Sequence, residues 1–222
     1  NDTKKLINIY GIASGMSYLH SKNILHYDLT PSNIIEDSNF YPKIKDFGLK
    51  GIFNDIQSIQ KIKEISKYSA PECYTDNKYT KESEVYSFGL IAYLIMANKS
   101  LFNNDDNIIK HAENIINENY SISQEKIPKI YKELIKRCLS KEPTKRPSFE
   151  EIVKELENNR EFITKFVNES EFKKYKDHIK TAKEHNEEYS GINEDNGNNN
   201  GNNGSNDKGD KKCEGNDNKK IK

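Results

Sequence analysis

Between Val85 and Met96 the chain reads Val-Tyr-Ser-Phe-Gly-Leu-Ile-Ala-Tyr-Leu-Ile-Met, apolar on nearly every face of a helix. A helix without a polar face cannot lie on a surface and has to be covered all round, by lipid or by its own chain. Length excludes lipid. The longest apolar stretch, Gly89 to Ala97, falls well short of the ~20 residues that a spanning helix needs. The cover must come from amphipathic segments elsewhere, and the sequence offers four. Leu6, Ile9, Tyr10, Ala13, Met16 and Leu19 fall at helical spacing, as do Ile108, Ile109, Ala112, Ile115 and Ile116, and then Ile130, Leu134, Ile135 and Cys138. The fourth opens at Ser148, which forms a capping box with Glu151 and is followed by a stripe of Phe149, Ile152, Val153 and Leu156. Strand-like runs are short and confined to residues 23–47: Asn23 to Leu25, Ile34-Ile35 and Pro42 to Lys45. The expected fold class is mainly α, with a few short β-strands.

Only 33% of the residues are hydrophobic, and the deficit is concentrated at the C-terminal end. Residues 1–158 carry the regular apolar periodicity. Residues 159–190 are highly charged with mixed signs, with Phe162, Phe166 and Phe172 at helical spacing, and are expected to form a solvated helical extension. In residues 191–222, Asn and Gly make up half of the chain, too little apolar surface to offset the entropy of ordering, so a disordered tail is expected. Thirty-five basic residues balance 35 acidic ones. That excludes a nucleic-acid binder that works by bulk charge, and neither nucleic acid nor a membrane is an expected partner. Cys73, Cys138 and Cys213 show no CxxC pair or zinc spacing. Reduced thiols and the lack of a recognisable signal peptide lead to an expected cytoplasmic location.

Chemistry concentrates in two motifs: His26-Tyr27-Asp28-Leu29-Thr30-Pro31-Ser32-Asn33 and Asp46-Phe47-Gly48. Asp46 lies 13 positions after Asn33 and 18 after Asp28, with strand-like residues between. A lone Asp-Phe-Gly carries little information; the pair at this spacing carries much more. Ala70-Pro71-Glu72 follows Gly48 at an interval of 24, and Glu84 to Gly89, Arg137-Cys138-Leu139 and Arg146-Pro147-Ser148-Phe149 come later in order.

Together these motifs resemble the C-terminal lobe of the eukaryotic protein kinase superfamily, over about residues 1–158. The resemblance implies ATP and Mg²⁺ as cofactors, a protein substrate, and other signalling proteins as possible partners. It also implies roles. Asp28 orients the substrate hydroxyl and accepts its proton. Asn33 and Asp46 are oxygen ligands for Mg²⁺ and so bind the nucleotide. Ile35 forms part of the floor beneath the adenine, and Phe47 and His26 pack in a column under the site. Glu72 and Arg146 form a buried ion pair. His26 is then a packed core histidine, Cys73 and Cys138 are small buried residues, and Tyr68 is expected to pack beneath the activation segment, the alternative being a phosphorylation site.

The chain departs from the family pattern in a group of positions. Tyr27 replaces an Arg that would pair with an activation-loop phosphate. Thr30 takes the catalytic position at which serine/threonine kinases carry a Lys that holds the γ-phosphate, and Ile65 replaces the Thr that supports that Lys. Glu84 replaces an Asp that braces the catalytic loop, with its carboxylate one methylene further out. The sequence holds no Gly-rich G-x-G-x-x-G loop, strand Lys or partner Glu, so the expectation is a lobe whose N-terminal partner lobe is missing from this chain. The chain opens on Asn1 in helical periodicity, which suggests a fragment, a cut gene model or an expression boundary. The pattern around Tyr86-Ser87-Phe88-Gly89 and Arg146 to Ile152 is most similar to the tyrosine-kinase-like group, whose members mainly phosphorylate Ser and Thr. The alternatives are a pseudokinase scaffold and a non-functional gene fragment.

Overall fold

The structure, a computed structural model, describes residues 1–48, 66–101, 114, 122 and 126–195, the last eleven by their backbone alone. Its described part is mostly helical with a single two-stranded sheet. Helix α1 spans Asp2–Ser21, and the Asn1 side chain accepts the Thr3 amide at its start. Strands β1 (Ile34–Glu36) and β2 (Pro42–Ile44) form an antiparallel hairpin with Ile34 opposite Ile44. Five further helices follow: α2 (Pro71–Thr75), α3 (Lys81–Ala97), α4 (Lys129–Cys138), α5 (Phe149–Asn158) and α6 (Glu169–Asp195).

Helix α3 contains the apolar run from Val85 and lies at the centre, as its lack of a polar face requires. It packs on α1 on one side and α4 on the other. Contact with α4 is close because Gly89 has no side chain: a Cβ there would stand 2.8 Å from the Cys138 Cβ. Thr80 and Ser83 cap α3 reciprocally, and Ser148 with Glu151 forms the expected capping box of α5. The Ser148 amide and hydroxyl hold the Glu151 carboxyl below its ordinary pKa.

Helix α1 buries more than its expected stripe. Ile7 and Ile12 are as buried as Leu6 and Ile9, because α1 is contacted by α3, α5 and β2 at once. Residues Asn23 to Leu25, expected as a strand, are irregular chain. Asn23 turns in the left-handed region (φ 57°), and Ile24 is exposed with no strand beside it among the described residues.

The stretch 159–190, expected as a solvated helix, is partly core. It opens with a 3₁₀ turn at Arg160–Phe162 whose Phe162 is fully buried, edge-on to Tyr131. Phe166 is exposed, whereas Phe172 and Tyr175 of α6 are buried against α1. The compact unit accordingly runs from Asn1 to Lys180. A second unit begins at Thr181, and its described residues continue α6. The expected helix at 108–116, apart from the helical Asn114, lies outside the described residues, as do Ile65 and tail residues 196–222. Among the described residues no helix is long and apolar enough to cross a membrane.

Candidate active site

The loop between α1 and β1 is fixed from below by buried polar contacts. His26 is completely buried, and its Nδ1 accepts the Asp28 amide at 3.3 Å. Its Nε2 has no hydrogen-bond partner among the described residues, so His26 anchors the loop and is not placed for proton transfer. Tyr27 sits in the left-handed region (φ 67°), where an aromatic residue is strained by roughly 1–3 kcal/mol. That conformation is held by Glu84 in the first turn of α3, whose Oε1 accepts the Tyr27 amide at 2.7 Å. The other oxygen of the same buried carboxylate meets His20 Nε2 at 2.7 Å. The expected brace is thus present, and the longer Glu serves two elements with it.

Asp28 follows immediately. Asn33, in the 3₁₀ turn Pro31–Asn33, donates its side-chain amide to the Asp28 carbonyl (2.8 Å) and to Asp28 Oδ2 (3.1 Å). With the nitrogen so engaged, the side-chain oxygen of Asn33 is the atom left to accept or ligate. The Asn33 carbonyl in turn accepts the Lys45 amide at 3.0 Å, which extends the hairpin register by one pair. Asp46 is the next residue. Its backbone is also left-handed (φ 59°), its carboxylate is half exposed, and Lys45 Nζ lies 2.9 Å from its Oδ2. The Asn33–Lys45 bond therefore holds the segment that enters Asp46 beside Asn33, and Asn33 in turn holds Asp28.

Thr30 is nearly buried, with its hydroxyl 2.8 Å from that of Ser32. Ile35 is exposed on β1. Phe47 is exposed too, unlike the packed position expected from the resemblance. Asp46 and Gly48 both adopt positive φ, and that tight turn presents the Phe47 ring outward.

On the far side of Asp28 stands Tyr79, a neighbour the sequence motifs did not reveal. Burial, aided by the charges of Cys73 and Asp28, pushes its phenol up to about 12. Tyr27, Asp28, Tyr68, Ser69, Tyr79 and Glu84 line a cavity of about 20 Å³ between the loop and the segment leading into α2. Tyr68 is half-buried against the core, and burial raises its phenol pKa, which agrees with a packing role. Just beyond, Glu72 and Arg146 form the expected buried pair, bidentate at 2.5 and 2.9 Å. Arg146 also donates to the carbonyls of Ser140 (2.8 Å) and Glu82 (3.0 Å), and its guanidinium lies over the Tyr86 ring.

Comparison with known proteins identifies the family. The family model "Protein kinase domain" matches residues 2–156. The chain belongs to the protein kinase family. It is 36% identical over 152 residues to the dual specificity protein kinase shkA of Dictyostelium discoideum, covering 65% of this chain and 29% of that kinase. It is 32% identical over 154 residues to the human tyrosine-protein kinase FRK, covering 66% and 30%. A probable serine/threonine-protein kinase of D. discoideum is 29% identical over 150 residues, covering 67% and 9%. The chain thus spans less than a third of the length of these kinases.

Among the described residues no group of three or more His, Cys, Asp or Glu could hold a metal. The kinase cofactor Mg²⁺ does not require one. It is commonly bound by one or two protein oxygens together with phosphates and water, and the donor set of Asn33 and Asp46 fits that pattern.

Proposed function

We propose that this chain is the C-terminal lobe of a protein kinase that transfers the γ-phosphoryl group of ATP to Ser or Thr hydroxyls of a protein. The observation that carries this reading is the Asn33 side chain bonded to Asp28 while its carbonyl accepts the amide of Lys45, the residue before Asp46. Phosphoryl transfer asks for positioned oxygens and charge neutralisation more than for covalent chemistry. Asp28 would orient the acceptor hydroxyl and take its proton. Asn33 and Asp46 would hold Mg²⁺, which neutralises the phosphates when bound. Ile35, exposed on β1, would meet the adenine. Preference for Ser and Thr is supported by the sequence pattern of the tyrosine-kinase-like group and by relatives named as serine/threonine or dual specificity kinases. Protein partners follow from the same reading, and a cytoplasmic location is proposed from the scattered, unpaired spacing of the cysteines.

The test is phosphoryl transfer from γ-labelled ATP by the full-length protein that carries this chain. Asp28→Ala and Asp46→Ala should each abolish labelling; undiminished transfer in both would overturn the assignment. A second reading, a pseudokinase scaffold, is favoured by one observation. The Thr30 hydroxyl, at the position of the phosphate-binding Lys, is engaged by Ser32 and carries no charge. Labelling absent from the unaltered full-length protein would favour that scaffold.

A further inference from the structure

Residues 159–180 have no part in the chemistry above, yet they are joined to the site through the β1–β2 hairpin. Each strand of that hairpin has three residues, and a lone two-stranded hairpin of this size is marginal in water. Its open end carries Asn33 and Asp46, so whatever fixes the hairpin fixes their separation.

Three contacts fix it. Gly11 and Gly15 lie four residues apart on one face of α1 and leave that face bare. A Cβ on Gly15 would stand 2.9 Å from Ile44 Cδ1, and one on Gly11 would meet Pro42 and the Tyr175 hydroxyl. Next, Asp37 Oδ1 accepts the amides of Asn39 (2.8 Å) and Tyr41 (3.0 Å), which holds the hairpin loop and presents the Tyr41 ring. Finally, the Tyr41 ring is 4.5 Å from the Tyr175 ring and 5.4 Å from His178, centroid to centroid. Tyr175 is completely buried between Tyr41, Tyr10 and the bare face at Gly11. The start of α6 is tied to α1 by the Asn168 amide donating to Thr3 Oγ1 at 2.8 Å and by the Lys4–Glu171 ion pair at 3.6 Å.

We propose that residues 169–180 of α6 form a strap that clamps the β1–β2 hairpin against α1, with Tyr175 a positioning residue for Asn33 and Asp46. The roles of Asn33 and Asp46 rest on the function proposed above; the strap itself does not. Tyr175 works through its ring, since its hydroxyl has no hydrogen-bond partner among the described residues.

Amide hydrogen exchange on the full chain, without nucleotide, tests this. In Tyr175→Ala, peptides covering residues 34–44 should exchange about tenfold faster while α3 and α4 stay as protected as before, because local opening is separable from global unfolding. Tyr175→Phe should restore wild-type exchange, which a role for the hydroxyl would not allow. Unchanged hairpin exchange in Tyr175→Ala overturns the strap. A rise shared equally by α3 and α4 overturns it too, since Tyr175 would then be one more core residue. Should Tyr175→Ala not fold, His178→Ala acts from the exposed side of Tyr41 and should loosen the hairpin alone; no change there is also fatal. No kinase activity enters this readout, so an inactive protein would count against the proposed function and leave the strap untouched.

Discussion

The Tyr27 amide donates to Oε1 of Glu84 across 57 residues of sequence, at 2.7 Å, while Oε2 of the same carboxylate meets His20. One buried side chain on α3 thus holds the loop that carries Asp28 and the last turn of α1. Glu84→Ala would leave the Tyr27 amide and the His20 ring without that acceptor, at about 1–3 kcal/mol for each group left unsatisfied. The urea midpoint should fall accordingly. Glu84→Asp draws the carboxylate back by about one C–C bond, ~1.5 Å, so it should recover only part of the loss. An aspartate variant as stable as the parent would show that the second bond contributes nothing.

Glu72 and Arg146 lie 74 residues apart and bind α2 to the segment ahead of α5, with the Arg146 side chain fully buried. The Arg146 guanidinium also satisfies two or more backbone carbonyls, so the pair is a small network rather than a lone bridge. Removing one partner leaves a buried charge, and Glu72→Ala or Arg146→Ala should each cost about 3–5 kcal/mol. The double variant should cost clearly less than the sum, since neither charge is then stranded. Additive losses in a double-mutant cycle by denaturant melting would contradict the coupling.

What the sequence makes legible is chemistry packed into contiguous motifs. Asp28, Asn33 and Asp46 stand out because their spacing along the chain is set by one loop and one hairpin. The α3 core helix and the Ser148 cap are legible for the same reason, as local patterns. Features built from distant partners are hidden. Tyr175 lies in a run of charges that reads as solvated, and its burial depends on Gly11 near the other end of the chain. The Gly11 and Gly15 spacing was the available clue to that close approach. Tyr79 beside Asp28 left none, because no motif joins them. Asn23 to Leu25 fails in the opposite sense: three residues of suitable composition have no strand to pair with among the described residues.

The two described cysteines give a pH-dependent prediction. Burial pushes the Cys73 thiol up to about 11 and that of Cys138 up to about 12. In the unfolded chain both titrate near 8.5. Folding therefore favours the protonated thiols: their contribution to stability is whole below pH ~8.5 and is lost progressively as pH rises through the folded values. At pH 8 the folded chain should resist iodoacetamide at Cys73 and Cys138 and react at both in urea, as read by peptide mass mapping. Rapid modification of Cys138 in the folded chain would show that its position between α3 and α4 is open to solvent.

The bare face of α1 supplies the sharpest stability test. Replacing a glycine inside a helix by alanine ordinarily gains about 1 kcal/mol. At Gly11 the added Cβ would overlap Pro42 and the Tyr175 ring, neither of which can rotate away while the hairpin and α6 stay seated. Overpacking of this kind costs about 1–3 kcal/mol, so Gly11→Ala should be net destabilising. At Gly15 the only near neighbour among the described residues is the tip of Ile44, the far end of a flexible side chain that can turn aside. Gly15→Ala should then be neutral or slightly stabilising. The opposite order of the two urea midpoints would mean that α1, the hairpin and α6 do not meet at Gly11.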